Sequence, residues 1–183
     1  MDFDMLGLAP RLIAKLAENG ITDPTPIQAQ AIPHAMNGRD VMGLAQTGTG
    51  KTAAFGLPML DALLKEGGRP SPKSAKALIL APTRELAKQI ADNLMMFAEG
   101  SHLKIVLVVG GAGITGQMRK LEKGTAVLVA TPGRLLDLID QKAFNLSGVE
   151  ILVLDEADQM LDLGFIHADR KSTRLNSSHL VIS

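Results

Sequence analysis

The octapeptide Ala45-Gln46-Thr47-Gly48-Thr49-Gly50-Lys51-Thr52 constrains the fold more than any other stretch of the chain. It follows a short apolar run, Asp40-Val41-Met42-Gly43-Leu44, and opens a helix-like one, Ala53-Ala54-Phe55-Gly56-Leu57. Strand, glycine-rich loop and helix in that order is the context a phosphate-binding loop requires. The glycines let successive backbone N–H groups converge on an anion with no Cβ in the way. The helix that begins there adds unpaired N–H groups and its positive dipole end. Lys51 supplies a point charge for β- and γ-phosphates, and Thr52 a hydroxyl for Mg²⁺. The general pattern begins with Gly, whereas position 45 is Ala, and the competing reading is an ordinary glycine-rich turn. The context favours a nucleotide site, with Thr47, Gly48, Thr49, Gly50, Lys51 and Thr52 as its binding positions.

Around this loop the chain alternates. Pro10 fits a first helical position, with Leu12, Ile13, Leu16 and Ala17 on one face before Gly20 stops the helix. Thr25 and Pro26 begin a second helix towards Gly38, which Pro33 is expected to bend or shorten. A third helix, carrying Pro58, runs from the octapeptide to about Leu64, and residues 67–72 are a Gly/Pro loop. Strands are expected at 77–81, 104–109, 126–130 and 151–154, with helices at 84–98, 115–123 and 132–141. Apolar runs without alternation, separated by helices, predict an α/β fold whose mostly parallel sheet is covered on both faces.

Ligands of open α/β sheets sit outside the carboxyl ends of the strands. Three such ends read Pro82-Thr83-Arg84-Glu85-Leu86-Ala87, Gly110-Gly111 and Thr131-Pro132-Gly133-Arg134. In the first and third, a Thr precedes or caps a helix and an Arg lies in its first turn. Backbone N–H groups, a hydroxyl and a guanidinium are thereby offered to successive phosphates. Each alone is a weak signal, because Thr-Pro begins many helices; two copies with Arg on the edge that holds a nucleotide strengthen one another. Asp155-Glu156-Ala157-Asp158 ends the last strand. An Asp there holds Mg²⁺ in a phosphate-loop fold, usually through water, and an adjacent carboxylate polarises the attacking water. The other reading is an acidic helix start, which the dipole favours anyway. Lys51, Asp155 and Glu156 are the catalytic candidates, and Thr52 and Asp155 the metal-binding ones.

Composition narrows the partners. Lys+Arg and Asp+Glu number 19 each, so a polyanion must be held by local groups and not by a basic field. Five Phe with no Trp or Tyr leave few platforms for base stacking. The absence of Cys excludes disulfides and thiolate metal sites and fits a reducing, cytoplasmic setting. Met1-Asp2-Phe3-Asp4 lacks the features of a signal peptide. The longest apolar run, Ile105 to Val109, is far short of the ~20 residues that cross a bilayer, so no membrane partner is expected.

Together these residues resemble the DEAD-box RNA helicases, most closely the bacterial RhlE-like group, over residues 1 to about 168. Asp155-Glu156-Ala157-Asp158 is that family's name-giving box, and Ala45 to Thr52 matches its own form of the phosphate loop, Ala included. The resemblance implies a RecA-like domain at 31–168 that uses ATP and Mg²⁺ and couples ATP hydrolysis to opening of RNA duplexes. Gly20 through Gln28, with Phe3 upstream, resembles the adenine-recognition motif, assigned to residues 1–30. That implies Gln28 on the adenine edge and Phe3 on its ring, although spacing alone would make Gln28 a solvated helix residue. Ile21 stands where the family often has an aromatic. The three strand-end motifs look like RNA-backbone motifs, implying sequence-independent contacts from Pro82, Thr83, Arg84, Gly110, Gly111, Thr131, Pro132, Gly133 and Arg134.

The family pattern also includes a Ser-Ala-Thr strand after the box and a second RecA-like domain with arginine fingers, neither of which occurs in these residues. The expectation is therefore a truncated ATP-binding domain that binds nucleotide weakly and does not unwind by itself. The alternative is a nucleotide- or RNA-binding module without turnover. After Phe165-Ile166-His167-Ala168 the sequence leaves the family pattern, and 169–183 reads as a tail of unrelated origin. In the family, the Ser-Ala-Thr strand lies between the phosphate-loop strand and the box strand. Only His179-Leu180-Val181-Ile182-Ser183, short, apolar and β-branched, is suited to fill that place.

Overall fold

The computed structural model describes residues 2–46, 48–163 and 179–182. A 3-10 turn, Phe3–Leu6, precedes helices α1 (Pro10–Glu18) and α2 (Pro26–Met36). Strand β1 (Val41–Met42) leads to the phosphate-loop sequence and helix α3 (Lys51–Glu66). Then come β2 (Ala75–Leu80), α4 (Arg84–Phe97), β3 (Ile105–Val108), α5 (Ile114–Leu121), β4 (Thr125–Ala130) and α6 (Pro132–Asp140). Strand β5 (Ile151–Leu154), helix α7 (Ala157–Asp162) and strand β6 (His179–Ile182) complete the described elements. The strands form one six-stranded sheet in the order β1-β6-β5-β2-β4-β3. Every pairing is parallel.

The sheet is central because its strands are apolar on both sides. Strand β4 is buried along its whole length. Its residues divide by the period of two that a strand imposes. Val127 and Val129 join a core with α1, α3 and α4 through Leu12, Leu57, Leu60, Ile90 and Leu94. Leu128 and Ala130 face the opposite layer, with Leu121 of α5, Leu135 and Leu138 of α6, and Phe144.

Helix boundaries follow their local signals. Thr83 adopts an extended conformation and its hydroxyl accepts from Leu86 N at 3.2 Å, capping α4. Pro33 lies inside α2, which ends at Met36, short of Gly38. Pro33 has no N–H to give to the carbonyl four residues earlier, so the helix carries it at the loss of one intrahelical bond. Pro58 is likewise carried inside α3. Asp61 on α3 is buried, accepts from Ala9 N at 2.7 Å and pairs with Lys65 at 2.6 Å, so it anchors the start of α1.

The slot beside the box strand is filled. Strand β6 runs parallel between β1 and β5, pairing Val41 with Val181, Met42 with Ile182, and Ile151 with His179. The stretch expected there is the one found there; Ser183 lies outside the described residues, as do the expected boundary at 168 and the tail before 179.

Candidate functional site

The loop between β1 and α3 and the end of β5 meet at the carboxyl edge of the sheet. Gly50 precedes α3 in the left-handed region, φ +84°, where an L side chain is strained. A Cβ there would also meet Gln28 Nε2 and push the amide off Gly50 O. Lys51 opens α3, and its Nζ lies 3.8 Å from Asp155 Oδ1, both side chains being largely buried. Asp155 follows β5 directly, its N–H donating to Leu80 O at 3.0 Å, which carries the ladder one residue past the strand. Glu156 takes φ +54°, a left-handed conformation uncommon for a non-glycine residue, and turns the chain into α7.

These groups line a cleft of about 290 Å³ together with Ile21, Gln28, Gly48, Gly50 and Thr52. Its opposite wall is α4, through Leu86, Gln89, Asn93, Met96 and Phe97. Apolar walls with a few convergent polar groups are typical of small-molecule sites. The α4 wall was missed in the sequence, because nothing local marks which face of that helix overlooks the loop.

Gln28 is buried, not solvated. Its Oε1 accepts from Thr25 N at 3.0 Å and its Nε2 donates to Gly50 O at 3.1 Å. The Thr25 hydroxyl donates to Thr49 O at 2.9 Å, so the start of α2 holds two successive carbonyls of the phosphate loop. One lone pair and one hydrogen of the Gln28 amide remain for another partner. Phe3, expected on the adenine ring, is 2% exposed within the α1–α3–α4 core and is not among the cleft residues. Its short turn points the ring inward, where burial is favourable. Thr47 lies outside the described residues.

The three strand-end motifs converge on one loop. Arg84 is exposed and its guanidinium lies against the backbone of Gly110 and Gly111. Gly111 has φ +82°, and a Cβ on it would collide with Arg84 Nη1. From the other side, Arg134 Nη1 donates to Ala112 O at 3.1 Å and to Gln117 Oε1 at 2.9 Å. Arg134 also approaches Asp137 at 3.9 Å, while its Nε is buried without a hydrogen-bond partner. Pro82 and Pro132 are buried, Thr83 and Thr131 half-buried, and Gly133 exposed. Gln117 was not singled out in the sequence. It lies four residues before buried Leu121, and a polar residue on the buried face of a helix was the available signal.

The sheet order and a nucleotide-sized cleft at its carboxyl edge describe a RecA-like α/β domain. The sequence pattern of the DEAD/DEAH box helicase family matches residues 25–182, and the chain belongs to that family. It is 48% identical over 161 residues to DEAD-box ATP-dependent RNA helicase 9 of Oryza sativa subsp. japonica, covering 87% of this chain and 25% of that protein. It is 47% identical over 166 residues to the DEAD-box ATP-dependent RNA helicase CshA of Streptococcus pneumoniae, covering 91% of this chain and 31% of that protein. The crystal structure of a DEAD box protein from the hyperthermophile Methanococcus jannaschii superposes with a TM-score of 0.84 at 35% identity. That likeness covers 100% of this chain and 49% of the other. The chain thus spans about a quarter to a third of the curated relatives and half of the solved one.

Proposed function

We propose that this chain is the N-terminal ATP-binding domain of an ATP-dependent RNA helicase, with residues 31–168 as its RecA-like part and 1–30 as its adenine-recognition region. The observation that supports it most is the approach of Lys51 to Asp155 across the cleft, with Gly48, Gly50 and Thr52 on the same wall. In this reading Lys51 binds the β- and γ-phosphates, and the backbone N–H groups of 48–52 cradle them. Thr52 and Asp155 are oxygen donors that fit Mg²⁺, which takes one or two protein ligands and completes its shell with water and phosphate. Mg²⁺, when bound, neutralises charge on the phosphates. Among the described residues no cluster of three or more His, Cys, Asp or Glu could hold a metal by itself. Glu156 orients the attacking water and takes its proton. Gln28 uses its remaining lone pair and hydrogen to read the adenine edge.

Single-stranded RNA is proposed to lie along the edge formed by Pro82, Thr83, Arg84, Gly110, Gly111, Thr131, Pro132, Gly133 and Arg134, held by its sugar-phosphate backbone and so without sequence preference. A second RecA-like domain is the partner this reading requires for unwinding, and the cytoplasm its setting. Among the described residues no helix is long and apolar enough to cross a membrane.

Calorimetry with ATP and GTP, and ATP turnover with and without RNA, test the proposal. Gln28→Ala should weaken ATP more than GTP; equal loss in a folded sample removes Gln28 from base recognition. RNA-stimulated turnover supports an enzyme, and binding without turnover supports a non-catalytic module.

A further inference from the structure

Gln117 is buried at 7% exposure, yet it belongs to none of the strand-end motifs. Both ends of its amide are used. Nε2 donates to Val109 O at 3.0 Å, and Oε1 accepts from Arg134 Nη1 at 2.9 Å. Val109 O belongs to the peptide that leads into Gly110, so one side chain joins the root of the glycine loop to the guanidinium beyond it. Arg134 Nη1 also donates to Ala112 O, at the loop's far end. The loop is therefore held between two cations, Arg84 against Gly111 and Arg134 against Ala112. The amide performs both tasks at 117, whereas a carboxylate has no hydrogen for Val109 O and an apolar chain offers nothing to Arg134. Arg134 Nε is buried with no hydrogen bond and meets Asp137 at 3.9 Å, so the hydrogen bonds that hold the guanidinium are those of Nη1 to Gln117 and Ala112.

We propose that Gln117 is a positioning residue for RNA-backbone binding, holding Arg134 and the Gly110–Gly111 loop in one rigid arrangement that meets successive phosphates. The inference rests on the RNA-backbone reading above. A neutral chain has no basic field to gather a polyanion, so affinity depends on where individual guanidinium groups stand. A mobile Arg134 would lose rotamer freedom on each binding event; one already fixed does not.

The test is fluorescence anisotropy of a labelled single-stranded RNA with this chain across a salt series. Each phosphate contact on a single strand contributes about 0.7 to the slope of log affinity against log salt. Gln117→Met should weaken binding about tenfold and lower that slope by about 0.7. Arg134→Ala should do the same, and the double variant should be no worse than either alone. In parallel, ¹⁵N NMR of the Arg134 guanidinium should show faster Nε–H exchange in Gln117→Met without RNA present. Gln117→Glu, which keeps an acceptor for Arg134, guards against a folding defect. It should keep Nε–H exchange slow while still weakening RNA, because its carboxylate neutralises the guanidinium. Normal wild-type binding with an unaltered slope in Gln117→Met, or additive losses in the double variant, overturns the inference alone. A folded wild-type chain with no affinity for the RNA overturns the backbone reading on which it rests.

Discussion

The two halves of the sheet are built on opposite terms. In the half made by β2, β4 and β3, ladders run for four or five residue pairs, β4 is buried throughout, and polar side chains are tied to backbone carbonyls and to one another. Thr125 Oγ1, for instance, donates to Lys104 O at 2.7 Å, and Gln117 bridges a carbonyl and a guanidinium. In the half made by β1, β6 and β5, the β5–β6 ladder also runs for four pairs, but the outer strand β1 has two residues, and its Met42 and the nearby Leu44 are 69% and 89% exposed. There the residues brought together are charged, Lys51 and Asp155. Chain separation is not the reason for the shorter ladder, since each doubling of a closed loop adds only about 0.6 kcal/mol. The difference lies in what each half is asked to hold. A well-laddered half fixes the loop between Arg84 and Arg134. The other half ends in the two-residue β1, directly before the loop that leads to Lys51.

The largest effects should come from the charged half. Lys51→Ala removes a hydrogen bond to a charged group, worth ~1.5–3 kcal/mol, so ATP affinity should fall tenfold or more by calorimetry. Glu156→Gln should leave ATP affinity nearly unchanged while lowering any turnover by roughly 10²–10⁴. A folded Glu156→Gln chain that no longer binds ATP would erase the distinction between the two roles.

Removal of residues 179–183 should come next. It uncovers N–H and C=O groups of β1 and β5 at ~1–3 kcal/mol for each one left buried and unpaired. The melting temperature should drop by about 10 °C, with increased binding of a dye to apolar surface. Equal melting curves for the two chains would mean that the short half gains nothing from β6.

In the laddered half, Gly111→Ala forces a side chain into φ +82° and against Arg84. Backbone strain of that kind costs about 1–3 kcal/mol. RNA affinity should weaken about tenfold, a loss measurable by anisotropy, while calorimetry should find ATP binding as before. Loss of ATP binding instead would show that the halves do not act separately.

The smallest effect concerns the far, amino-terminal end of β5. Partial loss of hydration at this exposed residue, and then the neighbouring Glu66, raise the Glu150 pKa above the ordinary carboxylate value, with Lys76 opposing. A raised carboxyl favours the fold while protonated, so its contribution is present in acid and is lost as pH rises through the folded-state pKa. Glu150→Gln should therefore raise the melting temperature near neutral pH by about 2 °C and leave it unchanged near pH 4. A gain at both pH values would point to packing, not charge.

Much of this architecture is a local matter and can be read in the chain before it folds. Gly50 with a Lys-Thr pair after it, Thr83 ahead of a helix and the apolar run Ile151–Leu154 ending in Asp155 each act through neighbours a few residues away. Dihedral limits, capping and burial periodicity are set at that range. Other features depend on which loops are brought side by side, and no local pattern carries that information. Gln28 could read as a solvated helix residue until α2 placed its amide on Gly50 O. Phe3 could serve a ligand or a core with equal chemistry, and the packing of its turn decided for the core. Arg84 and Arg134 look alike in sequence, yet one lies exposed on glycine backbone and the other is held by Gln117. A polar side chain must find its partner wherever the fold supplies one, because leaving it buried alone costs more than the bond itself returns. The partner's identity is therefore a property of the tertiary structure.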